Sequence, residues 1–298
     1  MALNLVHYSD VHFPGMLRGW GPRDVLGKKL VGWFNVKFLG RGRRFRHANA
    51  CVEAMMAEIR EAPPDAIVFS GDATMLALKG EFANAAKRLG VTDPALPQGF
   101  AVPGNHDYYT RHAELAGVFE QAFAPWQTGD RIEGHYYPFA RRVGDIWLIG
   151  VNSSYQKFGL GASGKIGEPQ LARLRTLCAG LSSGLRILVT HYPLRNAHGR
   201  VEHPTHRLRD HVTALQTAKE CGIALWVHGH IHAPFVLKPG AAIPFPVICA
   251  GSATQEHLWS FNRYRIEGQN LTMTRRVYEL ALGAFRDAET LEMKLPAG

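Results

Sequence analysis

The chain has 298 residues, 46% apolar and 20% charged, with a formal net charge of +9; this is a soluble globular make-up, enough for one large α/β domain or two small ones. No run approaches bilayer-spanning length, and the opening Met1-Ala2-Leu3-Asn4-Leu5-Val6-His7 is too short for a secretory leader, so a cytoplasmic protein is expected, its four scattered cysteines reduced and buried. Nine basic residues meet only Asp24 between Arg18 and Arg46, so a near-neutral body carries one basic patch that needs an anionic membrane, substrate or nucleic acid.

Residues 3–7 read as a buried strand ending at Ser9-Asp10-Val11-His12. After the basic segment, residues 48–60 place Val52, Met55, Met56 and Ile59 on one helical face. Pro63-Pro64 stops that helix, and residues 65–69 form the next strand, ending at Ser70-Gly71-Asp72. A helix over 81–89 turns Phe82, Ala85, Ala86 and Leu89 inward. The strand Phe100-Ala101-Val102 then runs into the turn Pro103-Gly104-Asn105-His106-Asp107. This alternation predicts a mostly parallel core with functional groups at the carboxyl ends of strands.

Beyond a helix near 113–123 the pattern changes. Residues 136–142 and 145–151 predict an antiparallel hairpin. A glycine-rich loop over 159–167 precedes a helix carrying Leu171, Leu174 and Leu177. It imitates a P-loop, but Ile166 stands where the Ser or Thr on Mg²⁺ is required, so nucleotide binding of that kind is rejected. A strand over 186–190 ends at His191. A helix over 208–220 leads to a strand over 223–227, which ends at His228-Gly229-His230-Ile231-His232. Apolar runs at 235–237, 247–250, 261–266 and 271–278 predict antiparallel strands, and residues from about 287 a loose tail.

Five strand ends thus deliver Asp10 and His12, Asp72, Asn105 with His106 and Asp107, His191, and His230 with His232. Any one of them reads as an ordinary loop residue; five together imply a site. Asp, His and Asn without cysteine suit Mn²⁺, Fe or Zn²⁺. Asp-x-His and His-x-His would put alternate side chains on one side of an extended segment. Seven ligands exceed what one zinc-like ion takes, whereas two ions about 3.5–4 Å apart with a shared carboxylate would use them all.

In this order, Asp10-Val11-His12, Gly71-Asp72, Gly104-Asn105-His106-Asp107, Thr190-His191 and Gly229-His230-Ile231-His232 resemble the motifs of the calcineurin-like metallophosphoesterases, over about residues 3–252. The resemblance implies an α/β fold, a four-layer α/β/β/α sandwich of two mixed sheets with a dinuclear site at one edge. It implies Asp10, His12 and His232 on one divalent ion, Asn105, His191 and His230 on the other, and Asp72 bridging. His106 and Asp107 are the catalytic candidates: His106 beside the scissile phosphate, Asp107 orienting the turn. The implied reaction is attack of a metal-bound hydroxide on a phosphodiester or pyrophosphate bond, with Mn²⁺ first among the metals and Fe or Zn²⁺ as alternatives. His228 falls outside the motif and reads as an inward strand residue or a donor behind the ligands. The loop after His191 carries His198, His203 and His206 among Arg195, Arg200, Arg207 and Arg209; it should border the substrate, with most of these residues solvated.

Residues 13–46 then form an insertion within a single domain of residues 1–280, followed by a tail of residues 281–298. Leu26, Leu30, Phe34 and Phe38, spaced by four beside Trp33, predict an amphipathic helix from Asp24, weakened by Gly27 and Gly32. Either it caps the body with its charges solvated, or its greasy face meets lipid while Lys and Arg meet head groups. The insertion resembles that of the UDP-2,3-diacylglucosamine pyrophosphatases of lipid A biosynthesis, whose widely studied members carry Arg in place of His106. Cyclic-nucleotide phosphodiesterases share Gly-Asn-His-Asp. The leading expectation is a phosphohydrolase of a lipid-linked or nucleotide-sugar lipid substrate, peripheral on the inner face of the plasma membrane. Arg43, Arg44, Arg46, His198 and Arg207 are the candidate substrate contacts. A cyclic AMP phosphodiesterase is the alternative; a nuclease or a non-catalytic scaffold ranks lower. No stable nucleic-acid complex is expected, and the sequence leaves the oligomeric state undetermined.

Overall fold

A computed structural model describes residues 2–13, 42–155 and 162–297. The amphipathic helix predicted from Asp24 and the start of the glycine-rich loop lie outside these residues. The first strand, β1 (Leu3–Tyr8), sits inside a sheet rather than at its edge. It runs parallel to β2 (Ala66–Phe69), which runs parallel to β3 (Gly99–Ala101). On the other side β1 pairs antiparallel with β11 (Ser260–Glu267), followed by β12 (Asn270–Glu279) and β13 (Ala284–Lys294).

The second sheet has the order β4 (Asp130–Arg131), β5 (Phe139–Val143), β6 (Ile146–Gly150), β7 (Leu185–Val189), β8 (Ile223–His228), β10 (Val247–Cys249) and β9 (Phe235–Leu237). Its centre, β6 to β8, is parallel. The predicted hairpin is present as β5 and β6, in antiparallel register from Phe139↔Gly150 to Val143↔Ile146.

Side-chain alternation along the strands builds the layers. Leu5, Ala66, Val68 and Phe100 from the first sheet meet Phe139, Leu148, Val189, Leu225 and Val227 from the second in one buried inter-sheet core. The opposite faces carry Val6, Tyr8, Ile67 and Phe69, which pack under α1 (Ala48–Glu61) and α2 (Lys79–Arg88). In α1 the predicted stripe of Val52, Met55, Met56 and Ile59 is fully buried. Each such side chain contributes about 1.5–3 kcal/mol relative to exposure. On the far side, α5 (Glu168–Gly180) and α6 (His211–Glu220) bury Leu171, Leu174, Leu177 and Ala214 against Ile149, Leu188 and Trp226. The expected four-layer sandwich is therefore present.

Three local expectations are corrected. The helix predicted over 113–123 is two short ones, α3 (Arg111–Leu115) and α4 (Val118–Ala122), separated by Gly117 at φ 57°. The run at 247–250 was expected to be antiparallel, but β10 is parallel to β8, with only β9 antiparallel to it. The chain beyond 287 is no loose tail. It belongs to β13, paired with β12 from Ala284 to Lys294 around one bulge at Ala288, and is flanked by buried Phe285 and Leu295. The alternation in that stretch is weak because most of its side chains are exposed, so a sheet edge looked like a solvated end.

Candidate metal centre

The carboxyl ends of β1, β2, β3, β7 and β8 converge, and all seven predicted ligands arrive there. They do not get there by extended alternation. Asp10, His12, Asp72, His230 and His232 have φ of 54°, 41°, 60°, 70° and 63°, in the left-handed region that costs a non-glycine residue roughly 1–3 kcal/mol. Such strain persists only where surrounding bonds over-determine it. Here Asp10 N–H donates to Gly71 O (2.9 Å) and His12 N–H to Asp72 O (3.1 Å). Ser252 Oγ and Thr254 Oγ1 donate to the carbonyls of Asp10 and Val11, at 2.7 and 2.8 Å. These last two residues follow β10, a sixth strand end whose Gly251-Ser252-Ala253-Thr254 carries no ligand type and so gave no signal in the sequence.

Asp107 is the knot of the two turns from the first sheet. Its fully buried Oδ2 accepts the backbone N–H of Asp72 and of Gly104, each at 2.9 Å, and of Ala73 at 3.3 Å. Oδ1 accepts from Thr74 N (3.1 Å) and Thr74 Oγ1 (3.2 Å). Burial and the adjacent Asp72 carboxylate push the Asp107 carboxyl up to about 7, against the pull of the Gly104 and Ala73 amides. With both oxygens occupied by its own turns, Asp107 is a positioning residue; a place among groups that touch substrate does not fit it. Gly104 is required by proximity, since a Cβ there would lie 2.0 Å from Asp72 Oδ1.

The imidazoles are oriented from behind. His12 Nδ1 faces Thr74 O at 3.1 Å, His191 Nδ1 faces Ser70 O at 2.8 Å, and His232 Nδ1 bonds Gln255 Oε1. Each Nδ1–H donates to its oxygen and turns the Nε2 lone pair inward. The inward atoms then meet each other. His12 Nε2 and His232 Nε2 are 3.1 Å apart, and 3.6 and 3.2 Å from Asp10 Oδ1. His191 Nε2 lies 3.3 Å from Asp72 Oδ2 and 3.1 Å from Asn105 Oδ1, which is 2.9 Å from His230 Nδ1. Asp72 Oδ2 also lies 3.6 Å from His12 Nε2, so it stands between the two groups.

Asp10 Oδ1 and His230 Nε2 are buried without a hydrogen-bond partner. Asp10, His12 and His232, and again Asp10, Asp72 and His191, each bring ligand atoms within 4.8 Å of one another. Carboxylate oxygens and imidazole lone pairs crowded together cost free energy unless a proton or a metal ion sits among them, so the donor set fits two metal seats. Without metal, His191 is pushed up to about 9: burial lowers it, but Asp72 and Asp10 outweigh burial. Burial would raise the carboxyls of Asp10 and Asp72, yet the surrounding histidines hold both below the usual range.

His106 borders this set. Its N–H donates to Asp72 Oδ1 (2.7 Å), its Nδ1 faces Met75 O (2.8 Å), and its ring meets His12 edge-on at 5.0 Å. Tyr109 stacks on it at 5.7 Å. Phe45, a residue sequence reasoning passed over, packs edge-on to His12 at 4.9 Å. It closes a 3-10 turn, Gly42–Phe45, that leaves Arg43 and Arg44 exposed, while Arg46 pairs with Glu256. Phe13, bridged to Thr74, is buried at the other root of the insertion. In the loop after His191, His198 sits in an exposed turn with its N–H on Asn196 Oδ1, and Arg207 is half-buried. The loop reaches the centre through His206 instead, whose ring is 6.1 Å from that of His230, and through Tyr192, at 4.2 Å from the same ring. His228 is the inward strand residue expected, buried with Nδ1 on Gly229 O.

A family model described as calcineurin-like phosphoesterase matches residues 3–234. No curated protein sequence matches the chain. Among solved structures, a dimetal phosphatase from Danio rerio superposes with a TM-score of 0.67 at 12% identity, covering 99% of both chains. A purple acid phosphatase from yellow lupin gives 0.61 at 11% identity, covering 99% of this chain and 54% of its own. GAP50, an anchor in the inner membrane complex of Plasmodium, gives 0.59 at 12% identity, covering 99% and 89%. At these identities the likeness is one of fold.

Proposed function

The chain belongs to the calcineurin-like phosphoesterases, hydrolases of phosphoric esters, and from that premise we propose that it cleaves a phosphodiester or pyrophosphate bond in a substrate that also carries an apolar group. The carrying observation is the meeting of carboxylate, imidazole and amide ligand atoms from five strand ends. Asp10, His12 and His232 would hold one divalent ion, Asn105, His191 and His230 the other, with Asp72 shared between them. Bound there, the ions would supply positive charge for the phosphoryl oxygens and a nucleophile at neutral pH. His106 stands at the rim of this set, its Nδ1 held by Met75 O; its role is to stabilise phosphate charge or to protonate the leaving oxygen. Asp107 fixes the turn that presents both Asn105 and His106.

The apolar part of the substrate is inferred from how the insertion is rooted. Phe13 and Phe45 are both buried, and Phe45 touches the His12 ring. The described chain on either side of the basic segment therefore lies beside the metal centre. Exposed Arg43 and Arg44 add positive charge at the return. Both features support a lipid-linked phosphoester presented at an anionic membrane surface, such as UDP-2,3-diacylglucosamine, with Mn²⁺ as the first metal to test. Among the described residues no helix is long and apolar enough to cross a membrane. The Gly-Asn-His-Asp turn keeps cyclic AMP as the competing substrate.

Turnover of bis-p-nitrophenyl phosphate with Mn²⁺, removed by Asp72→Asn, tests the reaction; turnover unaffected by the substitution would overturn the assignment of the centre. Release of UMP from UDP-2,3-diacylglucosamine, set against hydrolysis of cyclic AMP, tests the substrate. Flotation with anionic liposomes should be lost when residues 19–43 are deleted. Equal flotation of both forms would sink the membrane reading.

A further inference from the structure

Cys178 and Cys221 are about 43 residues apart in sequence, yet the fold sets them side by side. Cys178 lies in the last turn of α5, and Cys221 caps the carboxyl end of α6. Arg186, in β7, bridges the two helix ends: its Nη1 donates to Cys221 O at 2.7 Å and its Nη2 to Cys178 O at 3.1 Å. A cation at two helix carboxyl termini is favourably placed, so this guanidinium holds the pair together. Both cysteines are buried. They face a cavity of about 340 Å³ lined also by Arg175, Ala179, Arg186 and Glu220. The Arg175–Glu220 ion pair (2.7 Å) forms its half-exposed rim.

We propose that Cys178 and Cys221 are a redox-active dithiol, a modification site that hydrogen peroxide closes to a disulfide. The thiolate of either cysteine attacks one peroxide oxygen and the O–O bond breaks; the departing hydroxide takes a proton and leaves as water, giving a sulfenic acid on that cysteine. The second thiol, losing its proton, then attacks the sulfenic sulfur. The S–O bond breaks and a second water departs. Two thiols and one peroxide become one disulfide and two waters. Cys51 and Cys249 are internal controls: all four cysteines are buried, but neither of these two lines the cavity that Cys178 and Cys221 share.

The test treats the full-length chain with hydrogen peroxide and maps the peptides. The expected product is a Cys178–Cys221 cross-link, with loss of two hydrogens in intact mass, reversed by dithiothreitol, and a thermal midpoint raised by a few degrees as the long loop closes. In Cys178→Ser and in Cys221→Ser no cross-link should form, and dimedone should trap a sulfenic acid on the cysteine of the pair that remains. A cross-link through Cys51 or Cys249, or peroxide treatment that leaves all four thiols free, would overturn the proposal.

Discussion

Replacing His7 by glutamine should flatten the acid limb of the protein's stability curve. His7 is fully buried between the sheets, with Nδ1 on Tyr264 Oη (3.0 Å) and Nε2 on Ser70 Oγ (2.9 Å). Burial, seconded by nearby His228, lowers its pKa from 6.5 to about 3. A base whose folded pKa lies below its unfolded value binds more protons when unfolded. Its contribution to stability is therefore intact above 6.5 and drains away as pH falls from 6.5 toward 3. At about pH 5 the difference amounts to about 1.5 pH units, or about 2 kcal/mol for this one residue. That is a substantial part of a typical total of about 5–15 kcal/mol. Glutamine can both donate and accept a hydrogen bond but does not titrate. The assay is urea unfolding at about pH 7 and about pH 5 with a chelator present, so that metal loss does not add to the slope. Wild type should lose about 2 kcal/mol more than His7→Gln between the two pH values. An identical loss in both proteins would refute the assignment of a neutral, acid-sensitive His7.

Other substitutions probe the turns. Asp107→Ala strips an acceptor from the backbone amides of Asp72, Ala73, Thr74 and Gly104. At about 1–3 kcal/mol per buried orphan, the loss should reach about 3 kcal/mol or more. It should show as a thermal midpoint lower by about 6 °C or more; no shift would contradict the clamp. Gly104→Ala would place a methyl 2.0 Å from Asp72 Oδ1. It should weaken Mn²⁺ uptake in calorimetric titration by about tenfold or more, roughly 1.4 kcal/mol, and unchanged affinity would count against the close approach. Chelation of the wild type should end hydrolysis and lower the thermal midpoint, and added Mn²⁺ should restore both in a concentration-dependent way. A chelated protein as stable as the loaded one would mean that the crowded acceptors carry no cost.

The sequence carried the site well because its ligands are chemically conspicuous and sit where apolar runs stop. Asp10, His12, Asp72, Asn105, His191, His230 and His232 needed no tertiary information beyond the five strand ends. Their backbone conformation was illegible, since nothing in Asp-x-His announces a left-handed residue. The supports were missed for a related reason: Ser252, Thr254 and Gln255 are ordinary turn residues until the fold brings them under Asp10 and His232. The buried strands declared themselves by runs such as Ile223-Ala224-Leu225-Trp226-Val227, whereas β13, half-solvated at an edge, did not. The contact between Cys178 and Cys221 depends on how α5 and α6 pack, which no local pattern encodes.

Neither of the proposed metal seats belongs to one sheet. Asp10 and His12 come from the first sheet and His232 from the second; Asn105 comes from the first, His191 and His230 from the second. The inter-sheet core of Phe100, Phe139, Val189 and Val227 is therefore a ruler that sets the distance between half-sites. Trimming a residue of this core such as Val189 would change metal affinity by altering that spacing. In return, two bound ions would staple the sheets at their open edge, so that opening of the sandwich and release of metal become a single event.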